Sequence, residues 1–202
     1  MLSEKLSKKQ LLIIRCARKN VTEASDEQLM QAVAGGDLDA FNEIVLRYQQ
    51  QTWRTAYRLL GDAMEAEDVA QESFLKILKA APRYRPTASF RSYLHTIIYR
   101  LCLDTRKKNR PALGDTIPDR PSSLPSAMEN MVSRERGEEI RRALKRLPLN
   151  QRTAMVLKHD EGLSYAEIAQ VMDASPKSVE MLIRRARKNL HAKLSHLNVH
   201  ES

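Results

Sequence analysis

The chain has 202 residues, of which 42% are hydrophobic and 29% charged, and it carries only six glycines and 5% aromatic residues. Its two cysteines, Cys16 and Cys102, lie far apart, which excludes a disulfide framework and a cysteine-rich zinc site. No apolar run approaches the roughly 20 residues that cross a bilayer, so we expect no membrane insertion and a cytoplasmic protein. Because good helix formers such as Ala, Leu, Arg and Glu dominate, the composition predicts an all-α fold.

The charge is strongly basic and unevenly distributed. The formal net charge is +9, yet residues 60–82 carry two cations against five acids. Residues 83–110 carry eight cations against one acid, and residues 134–202 carry fourteen against nine. A basic chain favours a polyanionic partner, and the acidic segment suggests a second, different partner. Chance clustering on solvated faces is the alternative.

The first helices have clear start and stop residues. Residues 1–24 are predicted to form a basic N-terminal extension. Ser25 precedes two acids, and Gln28 stands at the capping-box position, which predicts a helix that Gly35-Gly36 ends. A second helix starts at Asp37 or Asp39 and runs to Leu60.

A third helix, capped by Asp62, is predicted to pair an apolar stripe with an acidic face.

After this helix the charge of the sequence changes from acidic to basic. A loop bracketed by Pro82 and Pro86 leads to a fourth helix, which Ser89 caps. Apolar residues from Phe90 onward mark its buried face. Basic and polar residues occupy the rest of that helix: Arg91, His95, Arg100, Arg106, Lys107, Lys108 and Arg110.

Four prolines and several serines between residues 111 and 133 predict an extended linker. The expected organisation is thus a helical domain at 25–110, a linker at 111–133 and a second helical domain at 134–202. Helices in the second domain are predicted at 134–147, 150–160, 164–172 and 175–195.

The stretch GLSYAEIAQVMDASPKSVEMLIRRARKNL, from Gly162 to Leu190, predicts a helix-turn-helix. Ser164 and Glu167 form a capping box, and Ser175 before Pro176 caps a second, basic helix. The predicted DNA-facing residues of this second helix are Ser175, Lys177, Ser178, Glu180, Met181, Arg184, Arg185, Arg187 and Lys188. An ordinary helical hairpin with solvated or acid-paired arginines is the alternative.

The sequence lacks a catalytic constellation, so we expect no enzyme, no metal and no cofactor. His191 and His196 are five residues apart, which is not a metal spacing on one helical face. The Asp160-Glu161 pair stands where a turn explains it, and the chain has no glycine-rich phosphate loop.

Several motifs together resemble a known family. Leu-Pro-x-x-Gln-Arg from Leu147, Gly-x-Ser-x-x-Glu-Ile-Ala from Gly162 and Arg-Ala-Arg from Arg185 resemble domain four of bacterial sigma factors. AMEAEDVAQESFLKIL (63–78) resembles the core-binding helix of domain two, and FRSYLHTIIYRLCLDTRKKNR (90–110) resembles its promoter-melting helix. The chain therefore resembles the extracytoplasmic-function (ECF) group of the sigma-70 family over about residues 25–195.

The resemblance implies three binding surfaces. Contacts to core RNA polymerase are expected at Asp68, Gln71, Glu72 and Leu75. Minus-ten DNA contacts are expected at Arg83, Tyr84, Arg85, Arg91, His95, Arg100, Arg106, Lys107 and Lys108, with Tyr84 alternatively a core plug of its loop. The basic second helix would read the minus-thirty-five element.

The resemblance also implies an anti-sigma factor as a further partner, either membrane-anchored or soluble. Two other hypotheses remain open at this point. The first is a stand-alone helix-turn-helix regulator with an effector pocket in residues 25–110. The second is a helical adaptor that does not bind nucleic acid.

Overall fold

The computed structural model describes residues 23–86, 88–108 and 139–194. The predicted linker at 111–133, most of the predicted extension at 1–24 and the residue Arg110 lie outside these ranges. The regular elements of the described residues are helical, as the composition predicts. They are α1 (Asp26–Ala34), α2 (Leu38–Leu60), α3 (Ala63–Ala80), a 3-10 turn (Ala81–Arg83), α4 (Phe90–Lys108), α5 (Leu149–His159), α6 (Tyr165–Met172) and α7 (Pro176–Leu194). Residues 139–145 are also helical.

The predicted caps begin and end the helices of the N-terminal module, as we call residues 23–108. Ser25 and Gln28 form the predicted capping box, with the Ser25 amide donating to Gln28 Oε1 over 2.8 Å. Asp37, rather than Asp39, caps α2, because its carboxylate accepts the amide of Asp39 at 2.9 Å. Gly61 ends α2 at φ +78, a left-handed conformation that glycine adopts without strain. These local signals fix where each helix starts and stops.

The N-terminal module encloses one apolar core. Helices α1 to α4 surround side chains that are fully buried, among them Leu29, Met30, Ile44, Leu59, Ile77, Phe90, Leu94 and Ile98. The segment predicted as a loop after Pro82 instead starts as a 3-10 turn that continues α3. This core keeps α3 and α4 side by side, so the acidic and basic helices present separate polar surfaces.

The C-terminal module, as we call residues 139–194, has a second core under its last three helices. Leu157, Leu163, Ile168, Val179 and Ile183 are buried there. Tyr99 of α4 belongs to this same cluster, whereas Val156 of α5 belongs to the first core. The two modules therefore pack directly against each other, with α4 against α6 and α2 against α5.

Candidate nucleic-acid and polymerase interfaces

The acidic face of α3 is solvent-exposed, as the sequence predicts. Asp68 and Gln71 are exposed, and Glu72 lies 3.7 Å from the ammonium of Lys76 with 43% of its side chain accessible. Leu75, the predicted apolar contact, is 46% exposed. The structure thus brings together the four residues predicted to bind polymerase.

A groove of about 590 Å³ lies between this face and α2. Gln71 and Phe74 of α3 line one side, and Leu46 and Trp53 of α2 line the other. Leu46 is 57% exposed, and the Trp53 ring stacks on Tyr57 at 5.1 Å. Leu46 and Trp53 were not predicted from the sequence as residues of this surface. Both are apolar residues that lie off the apolar stripe of α2, and this pattern could have marked them.

The predicted minus-ten residues fall into two groups. Seven of them have exposed side chains around the 3-10 turn and along α4: Arg83, Arg85, Arg91, Arg100, Arg106, Lys107 and Lys108. Tyr84 is half-buried, its ring packs 5.1 Å from that of Tyr93, and burial raises its pKa. This environment matches the alternative of a core plug better than a free stacking platform.

The structure buries His95, whereas the sequence predicted it on the DNA-binding face of α4. Its side chain is 1% exposed, and its Nε2 lies 3.5 Å from Oε2 of Glu161. Arg91 of the preceding turn donates to the Glu161 carbonyl over 2.8 Å and keeps 45% of its side chain accessible. The expectation that His95 lies on an open DNA-binding face is wrong for this conformation, because the C-terminal module covers that part of α4.

The helix-turn-helix forms as predicted. Ser164 and Glu167 close a reciprocal capping box at the start of α6, with the Ser164 amide donating to Glu167 over 2.8 Å. Asp173 ends α6 at φ +51, and Ser175 Oγ accepts the amide of Ser178 at 3.1 Å, so α7 begins at Pro176. The turn between the helices is therefore three residues long.

One side of α7 is buried and the other is cationic. Val179, Ile183 and Ala186 are buried, at 0%, 2% and 0% exposure. The opposite face carries the exposed residues Ser175, Lys177, Ser178, Glu180, Arg184, Arg185, Arg187 and Lys188, with Met181 half-buried beside them. In the described part of the chain no α7 arginine pairs with a carboxylate; Arg184 contacts Met181 Sδ and Arg187 lies 3.4 Å from His159. This argues against the acid-paired hairpin.

Two buried charged residues escaped the sequence analysis. The guanidinium of Arg152 is fully buried and donates to the backbone carbonyls of Lys145, Leu147 and Leu59. Burial lowers the pKa of Arg152 to about 10, with Arg106 adding to the effect. Glu161 is 7% exposed, and its carboxylate accepts from Thr55 over 2.7 Å and from Gln51.

The electrostatics of Glu161 reflect these contacts. Burial on its own would raise the pKa of this carboxyl, but the facing His95 side chain and the hydrogen bonds from Thr55 and Gln51 outweigh it and lower the pKa from 4.5 to about 2. The structure therefore holds Glu161 as a buried carboxylate anion at neutral pH.

Within residues 23–86, 88–108 and 139–194, no three His, Cys, Asp or Glu side chains cluster into a candidate metal site. None of the helices in the same ranges is long and apolar enough to span a bilayer.

Comparison with known proteins assigns both modules. The model of sigma-70 region 2 matches residues 44–111, and that of sigma-70 region 4 matches residues 137–190. The RNA polymerase sigma-H factor of Pseudomonas aeruginosa is 33% identical over 192 residues, which cover 88% of this chain and 97% of that protein. The ECF RNA polymerase sigma factor SigM of Mycobacterium tuberculosis is 32% identical, covering 87% of this chain and 88% of that protein.

Solved structures agree at the level of the fold. CnrH in complex with the cytosolic domain of CnrY has a TM-score of 0.66 at 25% identity, covering 86% of this chain and 99% of CnrH. The sigma factor RpoE of Bartonella quintana, solved with the anti-sigma factor NepR, has a TM-score of 0.64 at 21% identity, covering 77% and 96%.

The fold and its polar surfaces define a helical transcription factor with separate acidic and basic faces and a helix-turn-helix. On the evidence of its relatives, the chain belongs to the sigma-70 family of RNA polymerase sigma factors, in the ECF group. This family consists of non-enzymatic transcription initiation factors that give core RNA polymerase its promoter specificity.

Proposed function

We propose that three surfaces bind three different targets. Helix α3 binds core RNA polymerase, α4 with its preceding turn binds the minus-ten element, and α7 binds the minus-thirty-five element. The observation that carries this proposal is the separation of one acidic and two cationic surfaces on a single chain. Because a polyanion repels an acidic face, α3 requires a different partner from α4 and α7.

On α3, Asp68, Gln71 and Glu72 would meet a basic surface of the polymerase, and Leu75 would add an apolar contact. The groove shared with α2 extends this surface, since Leu46 and Trp53 expose further apolar area beside it. A contact that buries Leu46 and Leu75 together would hold the polymerase by hydrophobic burial, while the acids direct it.

On α4, the exposed cations suit the phosphates of the minus-ten strand. Arg100, Arg106, Lys107 and Lys108 are all accessible, with Arg83 and Arg85 at the preceding turn. Each phosphate neutralised contributes about 0.9 to the slope of log affinity against log salt on duplex DNA, and about 0.7 on a single strand.

On α7, the N-terminal residues would face base edges in the major groove, and the later arginines would reach phosphates. Lys177, Ser178 and Glu180 are the exposed candidates for base contacts. Glu180 is compatible with this position because a carboxylate accepts from the exocyclic amine of cytosine.

We further propose an organisation and a regulator. Residues 25–110 and 134–202 would be separate domains joined by the 111–133 linker, which at about 3.1 Å per residue spans two promoter elements when extended. The protein would act in the cytoplasm, where core polymerase is found. Because the sigma factor RpoE of Bartonella quintana was solved in complex with the anti-sigma factor NepR, we propose that an anti-sigma protein covers α3 or lies between the two domains.

Transcription in vitro with sigma-free core polymerase tests the main proposal. Wild-type protein should direct initiation from its promoter, and the pair Asp68→Lys with Glu72→Lys should abolish binding to core polymerase while leaving the helical circular-dichroism signal intact. The matched control is Asp39→Lys with Glu27→Lys, two charge reversals at exposed positions of α2 and α1. Operator binding without polymerase, together with no initiation, would favour a stand-alone regulator. Retention of polymerase binding by the α3 pair would contradict the α3 assignment.

A further inference from the structure

Glu180 is the only acidic residue in the sequence of α7, which carries six lysines and arginines. Its side chain is exposed, and so are those of Lys177, three residues earlier, and Arg184, four residues later. Residues at these spacings are neighbours on a helix surface, so the two cations flank the carboxylate. A carboxylate here repels the phosphates that the cations attract, which weakens binding to DNA of any sequence. An acid on a DNA-facing surface therefore needs a compensating contact.

The neighbouring cations do not neutralise Glu180. A glutamate four residues before a basic residue has the favourable orientation for an ion pair within a helix. The guanidinium of Arg184, however, donates to Met181 Sδ over 3.0 Å. Among residues 23–86, 88–108 and 139–194, no basic side chain lies within ion-pair distance of the Glu180 carboxylate. Its oxygens are therefore available to a donor on another molecule.

The major groove of DNA offers few donors to a carboxylate. Guanine presents the acceptors N7 and O6 there, and thymine presents the acceptor O4 and a methyl group. Adenine has an amine at N6, but its N7 acceptor lies beside that amine and repels a carboxylate. Cytosine has the N4 amine and no acceptor of its own on this edge. A carboxylate at the Glu180 position therefore fits cytosine better than any other base.

The helix holds Glu180 in a fixed orientation. It is the fifth residue of α7, in the N-terminal part of the helix that contacts base edges in a helix-turn-helix. Val179 beside it and Ile183 one turn later are buried at 0% and 2% exposure, so the backbone is fixed against the core of the module. The Ser175 hydroxyl also caps the start of the helix by accepting the Ser178 amide. A selective contact needs such rigid support.

We infer that Glu180 is a specificity-determining residue of α7, which selects a cytosine in the minus-thirty-five element by accepting a hydrogen bond from its N4 amine. Met181 is a positioning residue, because its thioether keeps Arg184 from neutralising Glu180. At a site with this cytosine, the hydrogen bond offsets the repulsion between the carboxylate and the phosphates. At any other site the repulsion remains, so Glu180 also acts against wrong sequences. This inference rests on the proposed role of α7.

The test uses holoenzyme assembled from core RNA polymerase and the full chain in five forms: wild type, Glu180→Ala, Glu180→Gln, Met181→Leu and Asp39→Ala. Asp39→Ala removes one exposed acid of α2, outside the three proposed surfaces, and is the matched control for net charge. Wild-type holoenzyme first selects a promoter from a random duplex pool. That promoter is then randomised over its minus-thirty-five region, and the duplexes bound by each form are sequenced. Fluorescence anisotropy measures the affinity of each full chain for a random-sequence duplex.

We expect one position at which wild type and Asp39→Ala prefer cytosine, on either strand, by about tenfold over the other bases. Glu180→Ala should lose this preference and yet bind the random duplex more tightly than Asp39→Ala does. Glu180→Gln should shift the preference to adenine, whose N6 and N7 a glutamine contacts together. Met181→Leu should weaken the cytosine preference, because leucine offers Arg184 no acceptor and Arg184 then pairs with Glu180.

Three outcomes would contradict these expectations in different ways. If Glu180→Ala keeps the wild-type base preference, the inference is overturned, while selectivity for the minus-thirty-five element still supports the proposed role of α7. If no form selects any base in that region, the proposed role of α7 fails, and the inference fails with it. If Met181→Leu keeps the full cytosine preference, Met181 has no positioning role. Circular dichroism of each full chain verifies that the variants retain their helices.

Discussion

Replacement of Glu161 by glutamine should cost stability in a way that depends on pH. Burial alone would raise the pKa of this carboxyl, but its hydrogen bonds lower it from 4.5 to about 2, which corresponds to about 3 kcal/mol of stabilisation of the charged form. Since the pKa is lower in the folded chain than in the unfolded chain, this stabilisation is complete above pH 4.5. It is lost as the pH falls from 4.5 towards about 2.

The difference in the free energy of unfolding between wild type and Glu161→Gln should therefore shrink by about 2 kcal/mol between pH 7 and pH 3. Urea unfolding followed by circular dichroism and by the fluorescence of Trp53, the single tryptophan, measures it at both pH values. Glu43→Gln removes a carboxylate paired with Arg47 inside the N-terminal module and serves as the matched loss of one acid. A difference between wild type and Glu161→Gln that stays constant over this pH range would refute the assignment of Glu161 as a buried anion.

Three further outcomes follow from the structure. Arg152→Met should lower the free energy of unfolding by about 2 kcal/mol in urea titrations, because buried carbonyls lose a charged donor; an unchanged midpoint would contradict the role of the guanidinium. Ser164→Ala should cost about 1 kcal/mol through loss of the α6 capping box, seen as a lower melting temperature, whereas Ser164→Thr should largely retain it. Arg185→Ala should weaken promoter binding by the holoenzyme and reduce the salt slope by about 0.9 if it contacts one phosphate; an unchanged slope would place Arg185 away from the DNA backbone.

The parts of the fold that the sequence predicted are those set by neighbouring residues. Ser25, Asp62, Ser164 and Ser175 each contact amides two or three residues away, so their role as caps is visible in a short stretch of sequence. The helix-turn-helix likewise depends on local spacing between Ser164 and Pro176. Such features do not depend on contacts with residues that are distant in the sequence.

The parts that the sequence did not reveal depend on contacts between residues far apart in the chain. His95 is polar and follows Arg91 by one helical turn, which made it look like a surface residue. In the fold His95 faces Glu161, 66 positions later, and the carboxylate of Glu161 looked like part of an ordinary turn. Arg152 resembled any other surface cation, because its acceptor at Leu59 lies 93 positions away. The spacing of apolar residues along a single helix carries no information about such pairings.

The carbonyl of Leu59, near the end of α2, accepts a hydrogen bond from Arg152 of α5, a helix far away in the sequence. Each half of the polypeptide therefore supplies hydrogen-bond donors or acceptors for the other, so each half alone would leave some of its polar groups without these partners. Limited proteolysis that cuts only between residues 109 and 138 should accordingly yield two fragments that migrate together on a gel-filtration column. They should come apart only when denaturant is added.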